Sequence, residues 1–200
     1  MGLYKEKDER DGYVYDAAVK GGDTTFWSEV LGSIATDTTG VNKTIRVSSA
    51  RLHSFLQHKF GEYEFMLEVP ASPGAATNQS WGLRTPKNDT SDSLADTGIK
   101  GGGIYFQIDT NATFQAISYD DFGNRESTTL TFDSDAYDGV QNRYQIRWEA
   151  DQVKFLINDT VVATHTTRVP QSPQPLELKN YTASNLDIAY IRVASAGAII

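Results

Sequence analysis

The stretch from residue 143 to residue 166 constrains the fold more than any other, because it reads as three strands in succession. Apolar and polar residues alternate from Tyr144 to Trp148 and again from Val153 to Ile157, which is the period of a strand with one buried face. Asn158 and Asp159 stand where a two-residue hairpin turn is needed, and both residue types tolerate a positive φ. The β-branched residues that follow form the return strand. The stretch therefore predicts an antiparallel meander, with Trp148 in the core.

Shorter alternating or β-branched runs, bounded by turn residues, predict the remaining strands. No helix longer than a turn or two is predicted, and many strands at close spacing are typical of a sandwich or jelly roll. The further predicted strands cover residues 25–34, 44–49, 51–60, 62–69, 81–84, 104–109, 113–119, 127–132, 175–180 and 186–193.

Four segments, in the same order along the chain, resemble strands of the concanavalin-A-like lectin/glucanase superfamily, and most closely its laminarinase and lichenase type of glycoside hydrolase. They are residues 60–70, 144–164, 170–180 and 186–193, and the resemblance covers residues 27–193. It implies a concanavalin-A-like jelly-roll β-sandwich of two antiparallel sheets. Residues 1–24 are charged and without periodicity, so we assign them to an extended N-terminal arm or tail and residues 25–200 to the jelly-roll domain.

Composition narrows the classes of partner. The 200-residue chain has a net charge of −8 that is spread thinly, so it has no basic stripe for a nucleic acid. It has no cysteine, no apolar run long enough to cross a bilayer and no visible signal peptide. We therefore expect neither a nucleic-acid partner nor membrane insertion. The arm is either a disordered terminus or a strap that docks onto other protein subunits of a surface or virion assembly.

Six asparagines lie in Asn-x-Ser/Thr sequons, more than the one or two that chance would give. One interpretation is that asparagine and threonine cluster for local reasons, because both are common in the turns of a Thr-rich β protein. The other is a surface that carries N-glycans, as on an extracellular or virion protein. The sequons are at Asn42, Asn78, Asn88, Asn111, Asn158 and Asn180.

The resembled hydrolases carry Glu-x-Asp-x-x-Glu or Glu-x-Asp-x-Glu on one strand, in which the two glutamates act as nucleophile and acid/base. The best counterpart here is Gln107-Ile108-Asp109-Thr110-Asn111-Ala112. Asp109 matches the central position, but an amide at Gln107 can neither attack an anomeric carbon nor donate a proton at a useful pKa. The degenerate signature predicts that the chain is not a glycosidase, unless Glu64, Glu68 or Asp109 supplies the carboxylates.

A sugar site would use aromatic faces for stacking and polar groups for the hydroxyls. The expected carbohydrate-binding residues are Trp81, Arg84, Tyr105, Gln107, Asp109, Gln115 and Tyr119, with core packing as the alternative for Trp81. His53, His58 and His165 lack metal-ligand spacing and are expected on the surface. No cofactor and no metal site is predicted. A structural Ca²⁺ of the kind that some superfamily members hold could not be placed, and Asp133, Asp135 and Asp138 indicate a solvated turn.

Together these features favour a non-catalytic structural or adhesive module on an extracellular or virion surface, such as a capsid decoration protein with glycan binding. The alternatives are a glycoside hydrolase or polysaccharide lyase of the same fold, and a freestanding soluble lectin.

Overall fold

The structure is a computed structural model that describes residues 13–16, 27–37, 44–69, 78–84, 102–131, 140–180, 186–195 and 198–199. These residues form antiparallel strands and contain no helix, so none of them could cross a membrane as a long apolar helix. The strands are β1 Tyr13–Asp16, β2 Trp27–Asp37, β3 Thr44–His58, β4 Gly61–Glu68, β5 Gln79–Arg84, β6 Gly103–Ile108, β7 Phe114–Tyr119, β8 Arg125–Thr129, β9 Gln141–Trp148, β10 Val153–Ile157, β11 Thr160–His165, β12 Gln174–Asn180, β13 Leu186–Ser195 and β14 Ala198–Ile199.

The strands follow one hydrogen-bonded path, β11-β10-β9-β4-β13-β3-β12-β5-β6-β7-β8. We call β11-β10-β9-β4-β13 the first sheet and β12-β5-β6-β7-β8 the second sheet. The strand β3 belongs to both, because its residues 45–47 pair with β13 and its residues 50–58 pair with β12. The two sheets therefore form the antiparallel sandwich that the sequence predicts. One long strand, β3, joins them.

Aromatic side chains fill the space between the sheets. The ring of Trp81 on the second sheet meets Tyr144 on the first edge-on, with centroids 4.9 Å apart. Phe106 packs in the same manner on Phe155 at 5.3 Å. All four side chains are buried, in one apolar cluster that draws on both sheets. Their contact shows which face of each sheet points inward, and the opposite faces are the outer ones.

The predicted meander is confirmed as β9, β10 and β11. Asn158 and Asp159 have φ values of 48° and 67°, the left-handed pair that a tight hairpin turn requires. Trp148 lies in the core with 1% of its surface exposed, and its indole Nε1 donates to the carbonyl of Pro170 at 3.2 Å.

The prediction of separate strands at 44–49 and 51–60 is wrong, because β3 runs without a break from Thr44 to His58. The small residues from Ser48 to Ala50 lie where the strand passes from one sheet to the other. At this point Asn180 donates a hydrogen bond to the carbonyl of Val47 at 2.6 Å. A strand that changes its pairing partner does not contain a turn, so no turn residues in the sequence mark the position of the change.

Part of the predicted N-terminal arm lies within the described residues. The strand β1 pairs with β13 of the same chain, with Tyr13 opposite Val193 and Asp16 opposite Tyr190. The remainder of residues 1–24 lies outside the described residues. The division of the chain at residue 24 and the docking of the arm onto another subunit therefore stay predictions.

Candidate functional site

Alternation divides the residues of the second sheet between its two faces. On β5, Trp81 and Leu83 join the core, so Ser80, Gly82 and Arg84 lie on the outer face. On β6, Tyr105 falls outside the main core cluster and packs with Ile117 and Tyr119 of β7 instead. A set of polar and aromatic side chains therefore shares the outer face of this sheet.

One register row crosses this face and shows how residues distant in sequence come together. Cross-strand partners on the same face are the closest neighbours in a sheet. The row consists of His53, Glu177, Gly82, Tyr105, Ile117 and Ser127, one residue each from β3, β12, β5, β6, β7 and β8.

Two residues of the row, His53 and Glu177, form a hydrogen-bonded group with Ser80 and Arg84 of β5, which we call the glutamate cluster. His53 Nε2 lies 2.7 Å from Glu177 Oε2. Ser80 Oγ donates to Glu177 Oε1 at 3.5 Å, and Arg84 Nη1 lies 3.6 Å from the same oxygen. Each of the four is less than one-tenth exposed, so a substrate can reach the carboxylate only when the residues that cover it move aside.

The environment of Glu177 keeps its carboxylate ionised. Burial alone would raise the pKa of Glu177, but the charge of Arg84, the hydrogen bond and charge of His53 and the charge of Lys179 lower this pKa to about 2. A carboxylate can only accept hydrogen bonds, so His53 Nε2 carries a hydrogen and donates it. The cluster therefore holds a permanent negative charge that positive groups and donors surround.

Aromatic and amide side chains extend the site away from Glu177. The guanidinium of Arg84 lies 5.0 Å above the ring centre of Tyr105, within the range of a cation–π contact. The rings of Tyr105 and Tyr119 lie nearly parallel, with centroids 6.3 Å apart. Gln107 faces Ser80 on one side and Gln115 on the other in the strand register. Five of the expected sugar-binding residues, Arg84, Tyr105, Gln107, Gln115 and Tyr119, thus share one face.

Trp81 does not lie on that face, and Asp109 lies in the turn that follows β6. Trp81 is fully buried, stacks near Phe106 and meets Tyr144, so it is a core residue and cannot stack on a sugar. Asp109 follows the end of β6, and its Oδ1 accepts the backbone N–H groups of Asn111 and Thr113 at 2.8 and 2.9 Å. Its carboxylate closes a turn.

The expectation that the three histidines lie on the surface is wrong. His53 and His165 are fully buried and His58 is 2% exposed. His165 is held in the core by hydrogen bonds with Ser118 and Thr128, at 2.8 and 3.0 Å. His58 is packed edge-on against Tyr63, and neither of its ring nitrogens has a hydrogen-bond partner. Histidine is too amphipathic for its burial to be read from local sequence.

Two of the six sequons cannot carry a glycan in the folded chain. Asn180 is fully buried and Asn78 is 2% exposed, so neither amide is accessible. Asn111 and Asn158 are exposed, and the Nδ2 of Asn158 donates to Asn142 at 2.7 Å. Asn42 and Asn88 lie outside the described residues. The buried sequons support the turn and strand interpretation of these asparagines rather than a general glycan coat.

The other candidate carboxylates lie on the far side of the sandwich. Tyr63, Phe65 and Leu67 of β4 point into the core, so Glu64 and Glu68 lie on the outer face of the first sheet. They cannot meet Gln107. Within the described ranges, no three His, Cys, Asp or Glu side chains are grouped as a metal site. Asp133, Asp135 and Asp138 lie outside those ranges.

Solved structures with the same architecture are enzymes that act on glycosidic bonds. An apo Crh5 transglycosylase superposes with a TM-score of 0.70 at 16% identity, covering 93% of this chain and 85% of that one. A Bacillus licheniformis beta-glucanase gives 0.64 at 14% identity, with 91% and 97% covered. A glycoside hydrolase family 16 endo-glucanase from Bacteroides ovatus gives 0.62 at 10% identity, with 96% and 98% covered. The chain has the concanavalin-A-like jelly-roll fold.

At such identities the likeness establishes the fold alone. No protein-family model matches the sequence, and no curated protein matches it either. Within this concanavalin-A-like jelly roll, β6 presents Gly103, Tyr105 and Gln107 on its outer face, so the strand that the resemblance matches to the catalytic signature carries no carboxylate there. Glu177, two strands away on the same face, is the acidic residue that sequence reasoning missed.

The neighbours overturn the expectation of a non-catalytic virion or adhesive module. The neighbours named above are glucanases and a transglycosylase, and none of them is a capsid or other virion protein. The missing glutamates on β6 led to that expectation, because the carboxylates considered from elsewhere in the chain were Glu64, Glu68 and Asp109 and did not include Glu177.

Proposed function

We propose that the protein cleaves or transfers glycosidic bonds of a polysaccharide, and that the glutamate cluster on the second sheet is its reactive centre. The observation that carries the proposal is Glu177, an ionised carboxylate on the same outer face as Gln107. A nucleophilic or charge-stabilising carboxylate in a glycosidase must be ionised at working pH, and the donors around Glu177 keep it so.

The roles of the neighbours follow from their contacts. Arg84 and His53 hold the two carboxylate oxygens in a fixed direction, and a fixed direction is what positioning contributes to catalysis. Tyr105 and Tyr119 are buried and pack against each other beside the cluster, so they support this face rather than stack on a sugar, and Gln107 and Gln115 carry amides for sugar hydroxyls. The named glucanases suggest a β-glucan as the substrate class. An extracellular location would suit such a polymer.

Hydrolysis by a pair of carboxylates needs a second acid. The outer face of β6 offers none, because it carries Gly103, Tyr105 and Gln107, so the proposal names Glu177 alone.

The test is a reducing-end assay on laminarin and mixed-linkage β-glucan, with size analysis of the products to detect transfer. Glu177→Gln keeps the shape and removes the charge, so we expect activity to fall at least about 100-fold. Glu149→Gln is the matched control, since Glu149 is exposed on a turn and bonds only Gln152 among the contacts described. Turnover that survives Glu177→Gln unchanged would reject the proposal.

The alternative of a freestanding soluble lectin is favoured by the absence of a carboxylate on the outer face of β6. It predicts that laminarin binds but is not cleaved, and that Gln115→Ala weakens binding. Incubation with alginate, read by absorbance of an unsaturated product, checks the lyase alternative in the same series.

A further inference from the structure

The outer face of the first sheet, on the opposite side of the sandwich from Glu177, contains a polar groove. Its volume is about 170 Å³. We call it the first-sheet groove and define it by Glu62, Glu64, Arg143, Gln145, Arg147 and Arg192. The residues come from β4, β9 and β13, which lie side by side, so the floor of the groove is a regular sheet.

A buried acceptor without a partner marks the floor of the groove. Gln145 is 3% exposed, and its Nε2 donates to Glu62 Oε1 at 3.3 Å and to Glu64 Oε2 at 3.2 Å. Carboxylates only accept, so the amide nitrogen must face them and the amide oxygen must point elsewhere. That oxygen has no hydrogen-bond partner. A buried acceptor left unpaired is costly, which indicates a missing donor.

The neighbouring carboxylate is held rigidly in the same floor. Glu64 is 7% exposed, and Tyr190 donates to its Oε1 at 2.6 Å. Burial and the contact with Glu64 raise the pKa of Tyr190, so the phenol keeps its proton and remains a donor. The floor is therefore preorganised, because both side chains are fixed before any ligand arrives.

The charges that line the groove balance. Arg147 lies 3.5 Å from Glu62, and Arg143 pairs with Asp159, which also lines the groove. The three arginines are thus matched by the three carboxylates of Glu62, Glu64 and Asp159. A net charge on a ligand would gain little here. A ligand with many groups that both donate and accept hydrogen bonds would suit the lining best.

We propose that the first-sheet groove binds one neutral sugar unit, with a sugar hydroxyl donating to Gln145 Oε1 and others accepting from the arginines. The size is suitable, because a cavity of roughly 150 Å³ is enough for a six-membered ring such as benzene. This site is separate from the reactive centre proposed above and does not depend on it. It would give the chain a second binding site for a polysaccharide.

The test is a ¹⁵N–¹H NMR titration of the full chain with methyl β-D-glucopyranoside, followed at the side-chain amide of Gln145 and the backbone amide of Ala194. Ala194 also lines the groove. We expect both signals to shift in a saturable manner, and we expect glucuronate and glucosamine to bind more weakly than the neutral glycoside. No shift at either position, or tighter binding of a charged sugar, would overturn the proposal.

Two variants separate binding from folding. Gln145→Leu removes the acceptor, so the dissociation constant should rise about tenfold, and Gln152→Leu is the control because Gln152 also donates to a glutamate but lies on a turn. Ala194→Leu fills the groove and leaves every polar contact in place, so it should weaken binding even if Gln145→Leu does not fold. Glu177→Gln should leave this binding unchanged. Binding that both groove variants leave intact would refute the assignment.

Discussion

At the scale of single residues, the two buried tryptophans Trp81 and Trp148 differ in one contact. Trp81 has a buried Nε1 with no partner, whereas the Nε1 of Trp148 donates to Pro170. Trp81→Phe therefore removes an unpaired donor together with apolar volume, and the two effects oppose each other. Trp148→Phe loses volume and also leaves a carbonyl unpaired. We expect Trp148→Phe to be more destabilising by about 1 kcal/mol, as measured by urea unfolding.

The variant Trp81→Phe also tests the expectation that Trp81 binds sugar. Because its ring lies in the core, Trp81→Phe should leave laminarin binding unaltered under conditions where the variant is folded. A loss of laminarin binding in the folded variant would show that Trp81 belongs to the sugar site after all.

His58 predicts the response of stability to acid. Burial lowers its pKa from 6.5 to about 4 in the folded chain, while the unfolded chain takes up a proton near pH 6.5. The unfolded state therefore binds more protons between these values, so stability is complete above pH 6.5 and falls as the pH drops toward 4. The loss should approach about 3 kcal/mol. Glu177 acts in a lower window, since its stabilisation is lost only as the pH falls from 4.5 toward 2.

His58→Phe keeps a ring against Tyr63 and removes the titration. The free energy of unfolding of this variant, measured in urea at pH 7.5 and pH 4.5, should change less between the two pH values than that of the wild type. The comparison at pH 7.5 isolates the packing effect, because the imidazole is neutral there in both states. If the free energy of unfolding changed by the same amount between the two pH values in both proteins, His58 would not be the group that causes the loss of stability in acid.

At the scale of elements, β5 and β6 depend on a glycine between Glu177 and Tyr105. Gly82 has a φ of +156°, and a Cβ there would lie 2.3 Å from the carbonyl oxygen of Ile104 and 2.6 Å from the Cα of Tyr105. Both contacts are with backbone, which cannot move without parting the strands. Gly82→Ala should cost about 3 kcal/mol or more in unfolding free energy.

Gly103 on the adjacent strand provides the matched control for Gly82. A Cβ at Gly103 would meet its nearest atoms, in Arg84 and Tyr105, at 3.4 Å. Gly103→Ala should therefore change the unfolding free energy by less than about 1 kcal/mol. Similar costs for both variants would mean that the close approach at Gly82 is not what requires a glycine.

The same strands show which features of the fold and of the site can be predicted from the sequence and which cannot. Local alternation and the Asn158–Asp159 turn are enough to predict the meander, because one face of β9 is mostly polar and apolar residues recur at every second position of β9 and β10. On β5 both faces are buried, so alternation does not separate core from site. Trp81 and Arg84 are three residues apart and must lie on opposite faces of a strand, which spacing alone would have shown. By contrast, Glu177 meets His53 across 124 residues, and only the strand order brings them together.

At the scale of the whole molecule, β3 connects the two sheets in a manner that bears on how the chain unfolds. One half of β3 pairs with β13 of the first sheet, and the other half pairs with β12 of the second. The main core cluster also draws on both sheets, and Phe106 touches Tyr144 and Phe155 across it. Neither sheet can lose its strands without exposing the apolar face of the other.

We therefore expect the described sandwich to unfold in one cooperative transition, although many chains of about this size populate intermediates. Tryptophan fluorescence and far-ultraviolet circular dichroism should give coincident urea curves. Gly82→Ala in the second sheet and Trp148→Phe in the first should each shift the midpoint seen by both probes without changing the slope. Two transitions, or a variant that moves only one probe, would show that β3 does not couple the sheets. In that case the second sheet, with Glu177, could open while the first sheet stays folded.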